Sequence, residues 1–88
     1  MGYLTPLRNA LPNSVAELPV IDSIGTRCPQ PIIDAARFLR TQPIGTAAIL
    51  LSDDPATAPD ILAWARMTHN YSEQLEPAKF LVRKESDF

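Results

Sequence analysis

The sequence has little cysteine, little histidine and no excess of positive charge, and each shortage removes a class of function. The chain of 88 residues holds one cysteine, Cys28, and one histidine, His69. A single cysteine cannot form an internal disulfide, and one Cys with one His is too small a ligand set for a structural zinc site, so we expect no metal and no other cofactor. Eight basic against ten acidic residues give a net charge of −2. That balance disfavours direct binding of nucleic acid.

The chain also lacks a long hydrophobic run. The longest apolar stretch, Ala47–Leu51, is far shorter than a membrane-spanning helix. Residues 1–16 contain no charged segment followed by an apolar one, so we expect no secretory signal. Together with the lone thiol, these absences favour the reducing cytoplasm and no membrane association.

What the sequence does contain is enough apolar side chain for one small core. Hydrophobic residues make up 45% of the chain and charged residues 20%, which is typical of a folded domain. We predict an N-terminal extension over residues 1–16, where Leu4, Leu7 and Leu11 stand among prolines and asparagines. A single domain is predicted over residues 17–85, and a C-terminal tail over residues 86–88.

Hydrophobic periodicity predicts four strands and two helices in the order β-α-β-α-β-β. Strands are expected over Leu18–Asp22 and Thr46–Ser52, and a hairpin over Tyr71–Glu76 and Lys79–Arg83. Pro19 favours an edge position for the first strand, and the apolar second strand favours a central one. The predicted fold class is therefore α+β, a two-layer α/β sandwich with two helices packed on one face of a mixed four-stranded sheet.

Both helices are predicted from apolar residues that recur on one face. The first is expected to end before Pro43 and to bury Ile32, Ala35, Ala36 and Leu39. The second is expected to begin with Thr57 as its cap and Asp60 as the acid of a capping box. Its predicted buried face consists of Ala58, Ile61, Leu62 and Ala65.

The residues Cys28-Pro29-Gln30-Pro31 stand directly before the first helix. We predict Cys28 at the N-cap and Pro29 at the first helical position, so that the positive end of the helix dipole lowers the pKa of the thiol. Arg27 is expected to add positive potential. Pro29 and Pro31 have no N–H group, which leaves Gln30 and Ile32 as the main backbone donors. The alternative is that Cys28 is a small buried hydrophobe with no chemical role.

Other polar residues have simpler interpretations. His69 at the end of the second helix is expected to be a dipole partner or a surface residue. Asp53 and Asp54 before Pro55 are expected to form a turn and a cap rather than a paired-carboxylate site.

Three stretches of this chain resemble the TusA/SirA-like sulfur-carrier family: residues 21–31 with Cys-Pro-Gln-Pro, residues 52–61 with Asp-Asp-Pro-Ala-Thr, and residues 79–84. The pairing of Cys-Pro-x-Pro with a downstream Asp-Asp-Pro-Ala-Thr is specific, and the resemblance spans about residues 18–84. It implies the β-α-β-α-β-β sandwich predicted above, and it makes residues 17–85 a sulfur-carrier domain.

The resemblance implies a sulfurtransferase that accepts sulfane sulfur from a cysteine desulfurase as a persulfide on Cys28. It would then relay the sulfur to an acceptor protein, for example toward 2-thiouridine of tRNA, as a carrier rather than a multi-turnover enzyme. Arg27, Pro29, Gln30 and Pro31 are the predicted partner-binding residues around Cys28. We expect a monomer with transient protein partners. The alternative is a non-catalytic docking or regulatory module with the same fold.

Overall fold

The computed structural model describes residues 17–88, and its secondary structure has the predicted order. The strands are β1 (Val20–Asp22), β2 (Ala47–Leu51), β3 (Tyr71–Glu76) and β4 (Lys79–Arg83), and the helices are α1 (Gln30–Arg40) and α2 (Thr57–Thr68). This confirms the α+β class and the mixed four-stranded sheet. The predicted extension over residues 1–16 lies outside the described residues.

The sheet has the strand order β1-β2-β4-β3, with β1 parallel to β2 and the other pairs antiparallel. The apolar strand β2 is therefore central, and β1 is an edge strand, as predicted. β1 begins at Val20, two residues later than expected, because Pro19 has no N–H and contributes only its carbonyl, which accepts a hydrogen bond from Ile49 N at 2.8 Å. The hairpin strands β3 and β4 match their predicted bounds.

The core lies between one face of the sheet and both helices. Because side chains alternate along a strand, the paired residues Ala48 and Val82, and Leu50 and Phe80, point to the same face. These four side chains are buried with Ala35 and Leu39 of α1 and Ile61 of α2. Both helices therefore cover one face of the sheet, as predicted.

The buried face of α2 differs from the prediction at Leu62. Ile61 and Ala65 are buried as expected, but Leu62 is 45% exposed. The buried stripe instead runs through Thr57, Ile61 and Ala65, with Trp64 half-buried beside it. Leu62 lies outside that stripe because each residue is rotated by about 100° from the last.

The residues beyond β4 pack against the domain instead of forming a free tail. The Phe88 ring lies edge-on to Trp64 with centroids 5.4 Å apart, and Arg40 lies 5.3 Å from the centroid of Phe88. Ser86 Oγ donates to the carbonyl of Thr68 at the end of α2. These side chains complete the packing around both helices, and the division into a domain over residues 17–85 and a tail over residues 86–88 stays a prediction.

No helix within residues 17–88 is both long enough and apolar enough to cross a bilayer.

Candidate functional site

Cys28 lies in the loop between β1 and α1, one residue before the helix cap. The helix begins at Gln30, Pro29 is its N-cap, and the Cys28–Pro29 peptide bond is cis. The prediction that Cys28 caps α1 is therefore wrong. The Gln30 N–H donates to Arg27 O at 2.8 Å in a turn that precedes the helix, so it is also not free to meet the sulfur.

The loop that carries Cys28 is held by the loop that follows β2. Asp54 Oδ2 accepts a hydrogen bond from Cys28 N at 2.8 Å, and Asp53 Oδ1 accepts one from Gly25 N at 3.0 Å. Asp54 Oδ1 also accepts from Ala56 N at 2.9 Å, which is the predicted turn. The two carboxylates thus fix the cysteine loop as well as their own. The carboxyl ends of two neighbouring parallel strands bring these loops together.

The sulfur atom contacts a buried hydroxyl of α2. Cys28 Sγ lies 3.3 Å from Thr57 Oγ1, which lies 2.7 Å from Ser52 Oγ. Thr57 and Ser52 are buried, whereas Cys28 is partly exposed. Thr57 was predicted to cap α2, but the N-cap is Ala56, whose side chain makes no capping hydrogen bond. The prediction is wrong because the Thr57 side chain turns inward to Ser52 and Cys28. Asp60 likewise completes no capping box.

The pKa of Cys28 is shifted in the direction opposite to the predicted one. Burial raises the pKa of the Cys28 thiol, and the carboxylates of Asp60 and Asp54 raise it further, while the hydrogen bond with Thr57 opposes them. The predicted lowering of the pKa is wrong because Cys28 is partly buried, lies beside acidic groups and stands outside the helix terminus. The pKa of Asp54 itself is lowered by its hydrogen bonds from Ala56 and Cys28, with a smaller contribution from the charge of Arg27.

The other predicted site residues differ in how far they are exposed to solvent. Arg27 and Pro29 are exposed beside Cys28, and Gln30 is half-buried with its side chain donating to Asp34 Oδ1 at 2.7 Å. Pro31 is fully buried, so it packs inside the domain and presents no surface to a partner. A shallow cleft beside the cysteine is lined by Gly25, Thr26, Arg27, Asp53, Asp54 and Pro55.

The structure adds residues that the sequence interpretation did not assign to the site. Ser52, Asp54 and Thr57 all contact Cys28 or a residue bonded to it. Their signal was the Asp-Asp-Pro-Ala-Thr stretch, which was recognised as a motif but interpreted as a turn and cap. Within residues 17–88, no group of three His, Cys, Asp or Glu residues is placed to hold a metal ion.

This arrangement supplies a single accessible thiol on a firmly held loop, with a buried hydroxyl at the sulfur. A family model described as sulfurtransferase TusA matches residues 20–84, from the start of β1 to the residue after β4. The match includes Cys28 and every residue that holds it.

Proposed function

Because this chain belongs to the sulfurtransferase TusA family, we propose that it carries sulfane sulfur as a persulfide on Cys28. In this proposal a cysteine desulfurase supplies the sulfur and a second protein accepts it. The family implies the general role of a sulfur carrier; the residue, the donor and the relay are the proposal.

The observation that carries the proposal is that the one thiol of the chain is partly exposed on a fixed loop. In loading, the Cys28 thiolate attacks the terminal sulfur of the donor's persulfide. A new S–S bond forms at Cys28 Sγ, the donor's S–S bond breaks, and the donor cysteine leaves as a thiolate. In unloading, an acceptor thiolate attacks the terminal sulfur on Cys28, whose own thiolate leaves. Both steps are exchanges and need no external oxidant or reductant.

The raised pKa of Cys28 supports a carrier that reacts inside a docked complex. The thiolate is the reactive form, so a thiol that stays protonated reacts slowly with small electrophiles and oxidants in solution. A reducing cytoplasm suits the same chemistry, because a lone surface thiol would otherwise be consumed by disulfide exchange.

The surface beside the sulfur supports brief docking. Arg27 and Pro29 are exposed next to Cys28. We propose that these residues meet the donor and the acceptor in turn, through contacts of the small, transient class, and that the carrier acts as a monomer. With a net charge of −2, sulfur destined for 2-thiouridine of tRNA would pass through the acceptor protein rather than by direct RNA contact.

The test is the mass of the protein after incubation with a cysteine desulfurase and cysteine. Trapping with iodoacetamide and intact mass spectrometry should show a species heavier by one sulfur atom. The matched control is Cys28→Ser, which replaces the thiol with a hydroxyl of similar size and should gain no sulfur.

The gain of sulfur by the wild type and by Cys28→Ser distinguishes a sulfur carrier from a docking module. A wild-type protein that binds the desulfurase but gains no sulfur would refute the carrier and favour a non-catalytic docking role. Equal sulfur gain in the Cys28→Ser protein would refute the assignment to Cys28.

A further inference from the structure

A chain of hydrogen-bonding groups that includes two buried hydroxyls ends on the Cys28 sulfur. Asp54 N lies 3.4 Å from Ser52 Oγ, Ser52 Oγ lies 2.7 Å from Thr57 Oγ1, and Thr57 Oγ1 lies 3.3 Å from Cys28 Sγ. Thr57 is fully buried and Ser52 is 1% exposed, so neither hydroxyl exchanges its partners freely with bulk water. The positions of both are set by the end of β2 and the first turn of α2.

The direction of this chain follows from counting donors and acceptors. The backbone N–H of Asp54 can only donate, so Ser52 Oγ accepts from it. If Ser52 then donates to Thr57, Thr57 is left to donate to Cys28 Sγ, and every hydroxyl hydrogen has an acceptor. In the reverse direction the thiol donates to Thr57 and Thr57 to Ser52. The Ser52 hydrogen then has no acceptor among residues 17–88, which is costly for a buried group.

We propose that Thr57 is a catalytic residue of sulfur transfer, donating its hydroxyl hydrogen to Cys28 Sγ, and that Ser52 is the positioning residue that aims it. The proposal rests on the sulfur-carrier function proposed above and adds a role for these two hydroxyls.

The step that gains most is unloading. When the acceptor thiolate takes the terminal sulfur, the S–S bond breaks and its electron pair remains on Cys28 Sγ. A donor already aimed at Sγ meets the negative charge as it develops, without rearrangement of the site. The same bond stabilises the free thiolate before loading.

The Thr57 hydroxyl is needed because burial and the carboxylates near the sulfur disfavour a thiolate. Asp60 of α2 and Asp54 of the preceding loop both disfavour the thiolate, and burial does so more strongly. Arg27 of the cysteine loop lines the cleft, and its charge acts on Asp54. Among the groups that act on Cys28, the Thr57 hydroxyl is the one that favours the charged sulfur.

The experiment is the rate of Cys28 alkylation by iodoacetamide between pH 7 and 11, which follows the thiolate and needs no sulfur donor. Thr57→Val replaces the hydroxyl with a methyl group of similar size and should slow alkylation about tenfold below the midpoint, since one hydrogen bond to a charged atom can shift a pKa by roughly one unit. The two curves should approach each other at high pH, where both thiols are ionised. Thr57→Ser should restore the wild-type profile.

Ser52→Ala provides a second variant in case Thr57→Val does not fold, and it should shift the profile in the same direction by a smaller factor. Thermal unfolding of each variant shows whether the fold is retained. Superimposed profiles for wild type and Thr57→Val, both folded, would overturn the proposal, and sulfur loading of the wild type would be unaffected by that result. If the wild type gains no sulfur but the alkylation profile of Thr57→Val is shifted, the sulfur-carrier role is refuted and the hydrogen bond from Thr57 to Cys28 is supported.

Discussion

The two ends of this sandwich use polar side chains in opposite ways. At the carboxyl ends of β1 and β2, Asp54, Ser52 and Thr57 hold a loop and a sulfur atom that remains partly exposed. At the other end, polar side chains satisfy backbone groups.

The end opposite Cys28 is built around Lys84, which is only 5% exposed. Its Nζ donates to Gln42 O at 2.7 Å and lies 3.4 Å from Arg40 O, at the carboxyl end of α1. Asn70 Oδ1 accepts from Glu85 N at 2.7 Å and from Ser86 N at 3.1 Å, which ties the last residues to the end of α2. Helix carboxyl ends favour positive charge and need donors for their free carbonyls. This end therefore contributes stability, whereas the proposed chemistry lies at the end with Cys28.

The largest effect that can test this division is the loss of function in Cys28→Ser. Sulfur loading should disappear, because no other thiol exists in the chain. The free energy of unfolding should change by no more than about 1 kcal/mol, since serine has nearly the same volume and its hydroxyl can keep a hydrogen bond with Thr57. Urea unfolding and the loading assay measure the two quantities on one preparation. A variant that no longer unfolds cooperatively would mean that Cys28 is structural.

The reciprocal change is Lys84→Met, which keeps a long apolar stem and removes the charged donor. We expect the free energy of unfolding to fall by about 2 kcal/mol, because two helix-end carbonyls lose a charged partner in a buried place. Sulfur loading of the folded fraction should equal that of the wild type. Unchanged stability, or a folded variant that cannot be loaded, would contradict the division between the two ends.

Protonation of Asp54 in acid is expected to have a smaller effect on the free energy of unfolding. Its pKa is lowered in the folded state, so its stabilising contribution is complete above the ordinary carboxyl pKa of about 3.9 and is lost as pH falls through the lowered value. Asp54→Asn should therefore be less stable than the wild type at pH 6, and the difference should shrink toward pH 2. Unfolding measured across that pH range tests this. A difference that does not depend on pH would show that the charge of Asp54 is unimportant.

The same variant should make Cys28 more reactive, because one of the carboxylates that raise the pKa of the thiol is gone. Alkylation at pH 8 is the measurement, with Asp87→Asn as the matched control on an exposed carboxylate beyond β4. Equal rates for Asp54→Asn and the wild type would contradict the influence of Asp54 on the sulfur.

The smallest expected effect is on docking rate. If Arg27 helps to meet an acidic partner surface, Arg27→Glu should slow loading by a desulfurase, and loading should also slow with rising salt, since exposed charges are screened beyond about 8 Å at physiological ionic strength. Arg66→Glu is the control, because Arg66 is also exposed but lies in the last turn of α2. Equal effects of the two charge reversals would show that Arg27 has no specific part in docking.

The hairpin and the cysteine loop differ in how far the sequence predicts them. The bounds of β3 and β4 were predicted to the residue, because the short gap at Pro77-Ala78 separates the two segments and the alternation within β4 is local. The start of α1 was predicted one residue too early, since the turn between Arg27 and Gln30 and the bond from Cys28 N to Asp54 determine it. The second of these contacts joins residues 26 positions apart, which no local pattern contains.

Thr57 shows the same limit at the site itself. A threonine before a helix is normally a cap, and only the packing of α1 beside α2 brings its hydroxyl to a sulfur 29 positions away. The predicted direction of the Cys28 pKa shift was wrong for the same reason, because the fold partly buries the thiol and brings Asp60 and Asp54 close to it. The cysteine motif and the acidic motif were both recognised, but their contact was not.

The most direct test of the central claim is to locate the sulfur after loading with isotope-labelled cysteine and a cysteine desulfurase. The loaded protein would be trapped with iodoacetamide, digested and examined by tandem mass spectrometry. We predict one labelled sulfur atom per chain, attached to Cys28 and transferable to an added thiol such as glutathione. Finding no label on the peptide that contains Cys28, or label that added thiol does not remove, would contradict the account.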